Sequence, residues 1–188
     1  FTNHINVVKT NADEEIIWST ELLPNIFYYN RKLFLLGDGN LLAMNGPYVY
    51  VLNPEGTIIA EYYYEFSDLD YPPVADDMET VEFIDAIQNE EGILILGSGY
   101  TAGPDYNNIV SLTQLNTTGE ITSSKAYVLP ANYSCSKIAT IDDKVYVLYT
   151  TWATYESYVL IIDNIIGEIV DENFEPSAMD VSAKEFLT

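Results

Sequence analysis

A short turn motif that recurs four times constrains the fold of this chain more than any other feature. In each copy an apolar run leads to Asn, two variable residues, Gly or Glu, one further residue and Ile. The fixed positions are Asn11, Asn53, Asn116 and Asn164, then Glu14, Gly56, Gly119 and Gly167, then Ile16, Ile58, Ile121 and Ile169. Such a turn between two apolar runs predicts a β-hairpin, so four hairpins are expected.

The residue types in the motif explain the turn. Asn53 can bond its own downstream backbone, Pro54 presets φ at the second turn position, and Gly56 accepts a left-handed conformation. A type I turn followed by a left-handed residue closes a three-residue hairpin loop with a bulge. Glu14 breaks the pattern, because a left-handed non-glycine residue costs about 1 kcal/mol. That cost leaves room for a different turn in the first hairpin.

The spacing of the motif predicts the fold class. The turn positions 14, 56, 119 and 167 are separated by 42, 63 and 48 residues, and two more strand-like runs precede each of the last three hairpins. Four short antiparallel strands per unit, at a period in the forties, are typical of a propeller blade. We therefore expect an all-β protein, a β-propeller of about four four-stranded antiparallel blades.

The chain of 188 residues is long enough for one domain with a sizeable core. Its expected parts are the outer hairpin of a composite blade (1–24), three blades (25–67, 78–130 and 133–174) and a closing strand or tail (175–188). Two arrangements remain open. The blades could form a small closed ring within one chain, or a half-ring that a neighbouring chain or segment completes.

The stretch EEGILILGSGYTAGPDYNNIVSLTQLNTTGEITSSKAY, from Glu90 to Tyr127, resembles the blade repeats of extracellular bacterial and archaeal β-propellers, a group similar to the quinoprotein-like repeats. The segment from Asn6 that contains Trp18 resembles the outer half of such a repeat. The resemblance implies a propeller fold and a secreted or cell-surface location, but no single activity. Neither paired cysteines nor a cofactor motif suggests a bound quinone.

Three glycines in this stretch, Gly97, Gly99 and Gly103, imitate a dinucleotide-binding fingerprint. That fingerprint must open a helix within a βαβ unit. Here Pro104 resists a helix and the strand-like run IVSLTQL follows. We therefore expect no cofactor, and we expect these glycines to mark the end of one strand and the turn into the next.

The charge balance narrows the range of partners. Seven Lys and Arg against 29 Asp and Glu give a net charge of −22. Nucleic acids and anionic lipids bind clustered basic residues, so neither is an expected partner. No apolar run reaches the ~18 residues that a membrane helix needs. The expected partners are protein or carbohydrate, including other copies of the chain.

Single side chains give weak functional signals. His4 is the only histidine and Cys135 the only cysteine, so a histidine-pair metal site and an intramolecular disulfide are excluded, and Cys135 is expected to be buried and unreactive. Acidic residues between two expected blades could bind calcium, but they lack the spacing of a calcium loop. They are Asp68, Asp70, Asp76, Asp77 and Glu79.

Two further patterns remain. Asn116 and Asn132 begin glycosylation triplets, whose use depends on a secretory pathway. Tyrosines cluster in EYYYEF and VYVLYTTWATYESY and are expected to lie mostly in the core between blades, although such rings can also bind sugars.

No catalytic residue is predicted, because nothing singles out a carboxylate pair among the 29 acids. The leading interpretation is therefore a non-catalytic secreted or cell-surface propeller that acts as a binding or assembly module. The alternatives are a propeller-type carbohydrate-active hydrolase or lyase, and a filament or surface-layer subunit.

Duplex DNA should not bind this protein even at low salt, because Arg31 and Lys32 are its nearest approach to a basic cluster. Titration of a labelled duplex tests this expectation. Saturable binding that weakens as salt rises would contradict the electrostatic interpretation.

Overall fold

The computed structural model describes residues 5–22, 31–65, 69, 78–101, 108–129, 133–142, 144–151, 156–163 and 169–171, with backbone alone for 78–80, 133, 163 and 169–171. All regular structure in these ranges is β, and they contain no helix. Every pair of neighbouring strands is antiparallel. The predicted all-β, antiparallel class is confirmed.

The strands form four sheets in chain order. Sheet A contains β1 (Ile5–Thr10) and β2 (Ile16–Leu22). Sheet B contains β3 (Arg31–Leu35), β4 (Leu41–Asn45), β5 (Tyr48–Leu52) and β6 (Ile58–Tyr63). Sheet C contains β7 (Met78–Asn89), β8 (Gly92–Thr101), β9 (Asn108–Leu115) and β10 (Ile121–Leu129). Sheet D contains β11 (Tyr133–Ile141), β12 (Lys144–Thr151), β13 (Ser157–Asp163) and the short β14 (Ile169–Asp171).

The turn between β5 and β6 is held by the side chain of Asn53. The Gly56 amide donates to the Asn53 carbonyl at 2.9 Å, and the Asn53 amide donates to the Thr57 carbonyl at 2.9 Å. The Asn53 Oδ1 accepts from the amides of Glu55 at 3.2 Å and Thr57 at 2.8 Å. Gly56 has φ = 84°, so this is a type I turn followed by a left-handed residue. The same bonds occur around Asn116 and Gly119.

Glu14 takes the same turn, so a different turn in the first hairpin is ruled out. Its φ is 64°, its amide donates to the Asn11 carbonyl at 3.2 Å, and the Asn11 Oδ1 accepts from the amides of Asp13 and Glu15. The Asn11 Nδ2 also donates to the Glu15 carboxylate at 3.0 Å. These local bonds offset the free-energy cost of a glutamate in the left-handed conformation. The glycine pattern alone therefore overestimates that cost.

Gly56 and Gly119 are glycines for a second reason that does not apply to Glu14. A Cβ on Gly56 would lie 2.5 Å from Cδ2 of the Trp18 ring, and a Cβ on Gly119 would lie 3.0 Å from Cε2 of the Tyr62 ring. Each ring belongs to the last strand of the preceding sheet. The turn glycine therefore allows an aromatic side chain to pack directly on the backbone.

The hydrogen bonds between neighbouring sheets also repeat, at the same distance from each aromatic ring. Two residues after each ring, a hydroxyl donates to the glycine carbonyl: Thr20 to Gly56, and Tyr64 to Gly119 at 2.8 Å. Trp18 Nε1 also donates to the Pro54 carbonyl at 3.1 Å. Sheet A thus covers the turn of sheet B with the same kinds of contact as sheet B makes with the turn of sheet C, although Tyr62 lies two residues farther along its strand than Trp18 does.

Buried apolar clusters join consecutive sheets. Sheets A and B share one that contains Ile5, Leu22, Ala43, Tyr50 and Leu52. Sheets B and C share one that includes Leu42, Met44, Val49, Ile93, Ile95 and Leu115. Sheets C and D share one that includes Leu94, Leu96, Val110, Leu112, Val145, Val147, Leu160 and Ile162. The core therefore consists of successive layers between facing sheets.

The fourth turn, with Asn164 and Gly167, lies outside the described residues. The strands beside it pair Ile162 with Ile169, seven residues apart, whereas Leu52 and Ile58 are six apart. The hairpin in sheet D is therefore one residue longer than its counterpart in sheet B.

Gly97 and Gly99 lie inside β8, so the expectation that they end a strand is wrong. A Cβ on Gly97 would lie 2.2 Å from the Ser111 Oγ and 2.7 Å from the Val81 Cγ1. The glycine therefore serves close packing against neighbouring strands within sheet C. Gly103 lies outside the described residues.

Gly56→Val should destabilise the protein by at least about 3 kcal/mol, because it adds a β-branched residue at a left-handed position and drives its Cβ into Trp18. Glu14→Gly should range from neutral to about 1 kcal/mol stabilising, because its strain is removed while unfolded-chain entropy rises. Urea unfolding measures both changes. Equal midpoints for Gly56→Val and the parent protein would contradict the turn geometry.

Candidate functional site

The most unusual polar group in the described core is the carboxylate of Asp85 on β7. Its side chain is only 4% exposed. The pairing of β7 with β8 shifts register between Phe83 and Asp85, so a bulge immediately precedes the acid. Bulges re-aim the side chains that follow them, and this one accompanies the burial of the acid between sheets.

Two lysines from two other sheets reach this carboxylate. Lys32 on β3 of sheet B places its Nζ 2.5 Å from Oδ1, and Lys137 on β11 of sheet D places its Nζ 3.6 Å from Oδ2. The Ile138 amide also donates to Oδ2 at 3.4 Å. The Lys32 contact has ion-pair distance without hydrogen-bond alignment, since Oδ1 has no hydrogen-bond partner among the described residues. We call Asp85, Lys32 and Lys137 the ionic joint.

The ionic joint brings together the first strands of sheets B, C and D. Lys137 also directly follows a register shift, between Cys135 and Lys137, in the pairing of β11 with β12. Both bulged strands therefore place a charged residue at the same point between sheets. This arrangement fixes the three strands relative to one another through charge as well as apolar packing.

The electrostatics of the joint are asymmetric. The side chains of Lys32 and Lys137 are 35% and 42% exposed, so water reaches them, whereas the Asp85 side chain is nearly excluded from water. A buried carboxylate requires compensating charge, while a partly hydrated ammonium depends on its partner much less. With both oxygens beside cations, Asp85 is arranged to join sheets rather than to act as a general base.

A cleft of about 320 Å³ lies between sheets A and B beside this joint. Apolar side chains such as Val7, Leu22 and Leu33 form much of its lining, and Arg31 and Lys32 supply charge. The described residues that line it include no acid.

Asn116, a predicted glycosylation position, has a role in the turn. Its Oδ1 accepts from the Thr118 amide and hydroxyl and from the Glu120 amide, and its Nδ2 donates to the Glu120 carboxylate at 3.1 Å. The hydrogen bonds from Asn116 and Thr118 hold the pKa of Glu120 below its usual value. Asn132, the other candidate, lies outside the described residues, and glycosylation of both stays a prediction.

Cys135 is a buried free thiol, and burial raises its pKa to about 12 against the opposing hydrogen bond with Ser98. It has the environment of an inert core residue. The other single-residue candidates cannot be placed. His4 and four of the five loop acids lie outside the described residues, and for Glu79 only the backbone is described.

The tyrosine clusters divide between core and surface. Tyr62, Tyr64 and Tyr149 pack against buried clusters, whereas Tyr63 is 51% exposed. Tyr63 lies 4.8 Å from Tyr48, ring centre to ring centre, and its hydroxyl donates to the Glu65 carboxylate at 2.6 Å. An exposed ring beside a carboxylate can contact a sugar or a polar peptide.

Within the described part of the chain, no three His, Cys, Asp or Glu side chains are grouped so as to hold a metal ion. The described residues likewise include no helix long and apolar enough to cross a membrane. Calcium binding by the acidic loop stays a prediction, because most of that loop is not described.

Sequence reasoning did not find the ionic joint. A signal was present, since Asp85 interrupts the apolar run FIDAI in an expected strand. Its partners could not be read from the sequence, because Lys32 and Lys137 belong to other repeats. The lysine pair becomes recognisable only when the three first strands are brought together.

Comparison with known proteins adds no function. The chain matches no family model and no curated protein. Among solved structures, a protein of unknown function from Bacteroides caccae is similar over 88% of this chain and 73% of that chain, with 13% sequence identity and a TM-score of 0.30. A likeness at that score supports no conclusion about fold or activity.

Replacing both lysines of the joint should cost far more than neutralising the acid. Lys32→Met with Lys137→Met leaves a buried carboxylate without a cation and should destabilise by about 3–5 kcal/mol. Asp85→Asn keeps an acceptor for the Ile138 amide and leaves two lysines that water can solvate, so about 1 kcal/mol is expected. Urea unfolding gives both values, with Lys144→Met as a control. A cost for Asp85→Asn as large as that of the double variant would contradict the asymmetry.

Proposed function

We propose that this protein is a non-catalytic β-propeller-type module, secreted or on the cell surface, that binds or assembles with other molecules. The observation that carries the proposal is the repeated contact between sheets. Trp18 and Thr20 hold the turn at Gly56 in the same way as Tyr62 and Tyr64 hold the turn at Gly119. A repeated step between equivalent sheets generates a ring or an open array.

The ionic joint supports a radial arrangement. Asp85, Lys32 and Lys137 lie on β7, β3 and β11, the first strands of three successive sheets. Four-stranded sheets whose first strands meet and whose last hairpins contact the next sheet are arranged like propeller blades around an axis. The ring could close within the chain or with a neighbour.

The non-catalytic part of the proposal follows from the side chains that lie where the first strands of sheets B, C and D meet. Glycoside hydrolysis generally requires a pair of Asp or Glu side chains, one on each side of the scissile bond. Here the buried acid Asp85 is neutralised by two lysines. A carbohydrate-active hydrolase or lyase is therefore the weaker alternative, and a filament or surface-layer subunit is a special case of an assembly module.

The partner class is protein or carbohydrate, and the exposed ring of Tyr63 beside Glu65 suits either. The net charge of −22 disfavours polyanionic partners and suits a protein that must stay soluble outside the cell. The resemblance of the Glu90–Tyr127 stretch to extracellular propeller repeats supports the same location.

Incubation with a panel of neutral and acidic polysaccharides should release no new reducing ends, although some may bind. Reducing-end assays and co-sedimentation separate the two outcomes. Release of reducing ends that stays proportional to the amount of this protein through successive purification steps would reject the non-catalytic proposal.

A further inference from the structure

One face of sheet A is exposed at repeat positions that are buried in sheets B and C. Val8, Tyr50 and Thr113 each lie three residues before the turn asparagine, and their exposures are 46%, 0% and 1%. Ile16 is 66% exposed, whereas its equivalents Ile58 and Ile121 are half-buried. Because the strand positions correspond, the difference lies in what covers each sheet.

The preceding sheet covers these positions in sheets B and C. Tyr50 packs in the cluster that contains Ile5 and Leu22 of sheet A. Leu115, on the same face of β9 as Thr113, packs with Met44 and Val49 of sheet B. Sheet A is the first sheet along the described chain, and its equivalent face leaves Val8 and Ile16 in contact with water.

Sheet D, the last sheet along the described chain, has a complementary face. The residue pairs nearest the turns of sheets B and C are Leu52 with Ile58 and Leu115 with Ile121. Val49 and Leu112 lie three residues before Leu52 and Leu115, and they are 0% and 2% exposed because the following sheet covers them. The corresponding residue of sheet D is Val159, three residues before Ile162, and it is only half-buried. Tyr146, Leu148 and Ile161 are half-buried as well. Sheet D therefore presents a partly uncovered apolar face.

We propose that a second copy of this chain covers sheet A with its own sheet D, so that copies join head to tail by the step that joins sheets within the chain. The inference rests on the proposed function and specifies the partner. Val8 and Ile16 of sheet A are exposed in the described structure, so this face is available to sheet D of a second copy. Two different faces meet in such a contact, which makes it a heterologous interface that forms rings or filaments.

The contact between copies differs from the internal steps in one respect. Glu14 stands where Gly56 and Gly119 receive aromatic rings, so a ring cannot pack on the first turn in the same way. The interface therefore lacks a contact that both described internal steps have, and it belongs with small, reversible interfaces. Each copy carries a charge of −22, so association should strengthen as salt screens the repulsion.

Sedimentation velocity of the full chain, from about 1 µM to about 500 µM protein and from about 0.05 M to about 0.5 M NaCl, tests the proposal. The average mass should rise with concentration and with salt. Val8→Glu and Ile16→Glu should each weaken association at least tenfold, roughly the effect of 1.4 kcal/mol. Ile59→Glu is the matched control, because Ile59 is 56% exposed in sheet B, outside the proposed interface.

A mixing experiment tests the head-to-tail geometry. The Ile16→Glu variant keeps an unchanged sheet D face, and the Val159→Glu variant keeps an unchanged sheet A face. Each variant alone lacks one of the two faces and should stay monomeric, whereas a mixture of the two should form a one-to-one dimer. Circular dichroism checks that both are folded, and Tyr146→Glu replaces Val159→Glu if the latter is not. Self-association of the folded sheet D variant alone would overturn the proposal in favour of symmetric pairing.

A folded parent chain that stays monomeric under all conditions, or equal weakening by Ile16→Glu and Ile59→Glu, would also overturn it. These results leave the propeller-type binding module intact. Polysaccharide turnover by a chain that still associates would reject the non-catalytic proposal alone.

Discussion

The packing of an aromatic ring on the turn glycine of the next sheet is the contact on which the arrangement of sheets depends. Trp18 on Gly56 and Tyr62 on Gly119 place two sheets relative to their neighbours, and a hydroxyl two residues later bonds each glycine carbonyl. The glycine satisfies two demands at once, a left-handed backbone and space for the ring. Local turn chemistry and long-range packing thus meet at the same residue.

The ionic joint complements these contacts at the first strands of the sheets. The turns at Gly56 and Gly119 are held by aromatic rings and by hydrogen bonds to their carbonyls, while β3, β7 and β11 are held together by Asp85 and its two lysines. The apolar layers between the sheets supply the burial, and the directional contacts at the first strands and at the hairpin turns select one relative orientation. Sheets A and D, the first and last of the described stack, have unlike faces, on which the proposed association between copies rests.

The features that the sequence predicted correctly are local. The all-β class follows from apolar runs between asparagine turns, because each hairpin is encoded within about twenty residues. Glu14 was misjudged because the Asn11 side chain supports the turn without glycine, and Gly97 because close packing can require glycine inside a strand. The ionic joint could not be predicted, because the Ile138 amide and Asp85 are 53 residues apart and meet only in the folded protein.

Proton NMR of the folded protein shows directly whether the aromatic rings of one sheet pack on the turn glycines of the next. A glycine Hα against the face of an aromatic ring is shifted upfield and shows a nuclear Overhauser effect to the ring protons. Both signatures are expected for Gly56 with Trp18 and for Gly119 with Tyr62, and in Trp18→Leu they should be lost at Gly56 alone. Ordinary Hα shifts at both glycines, without effects to either ring, would contradict the repeated contact between sheets.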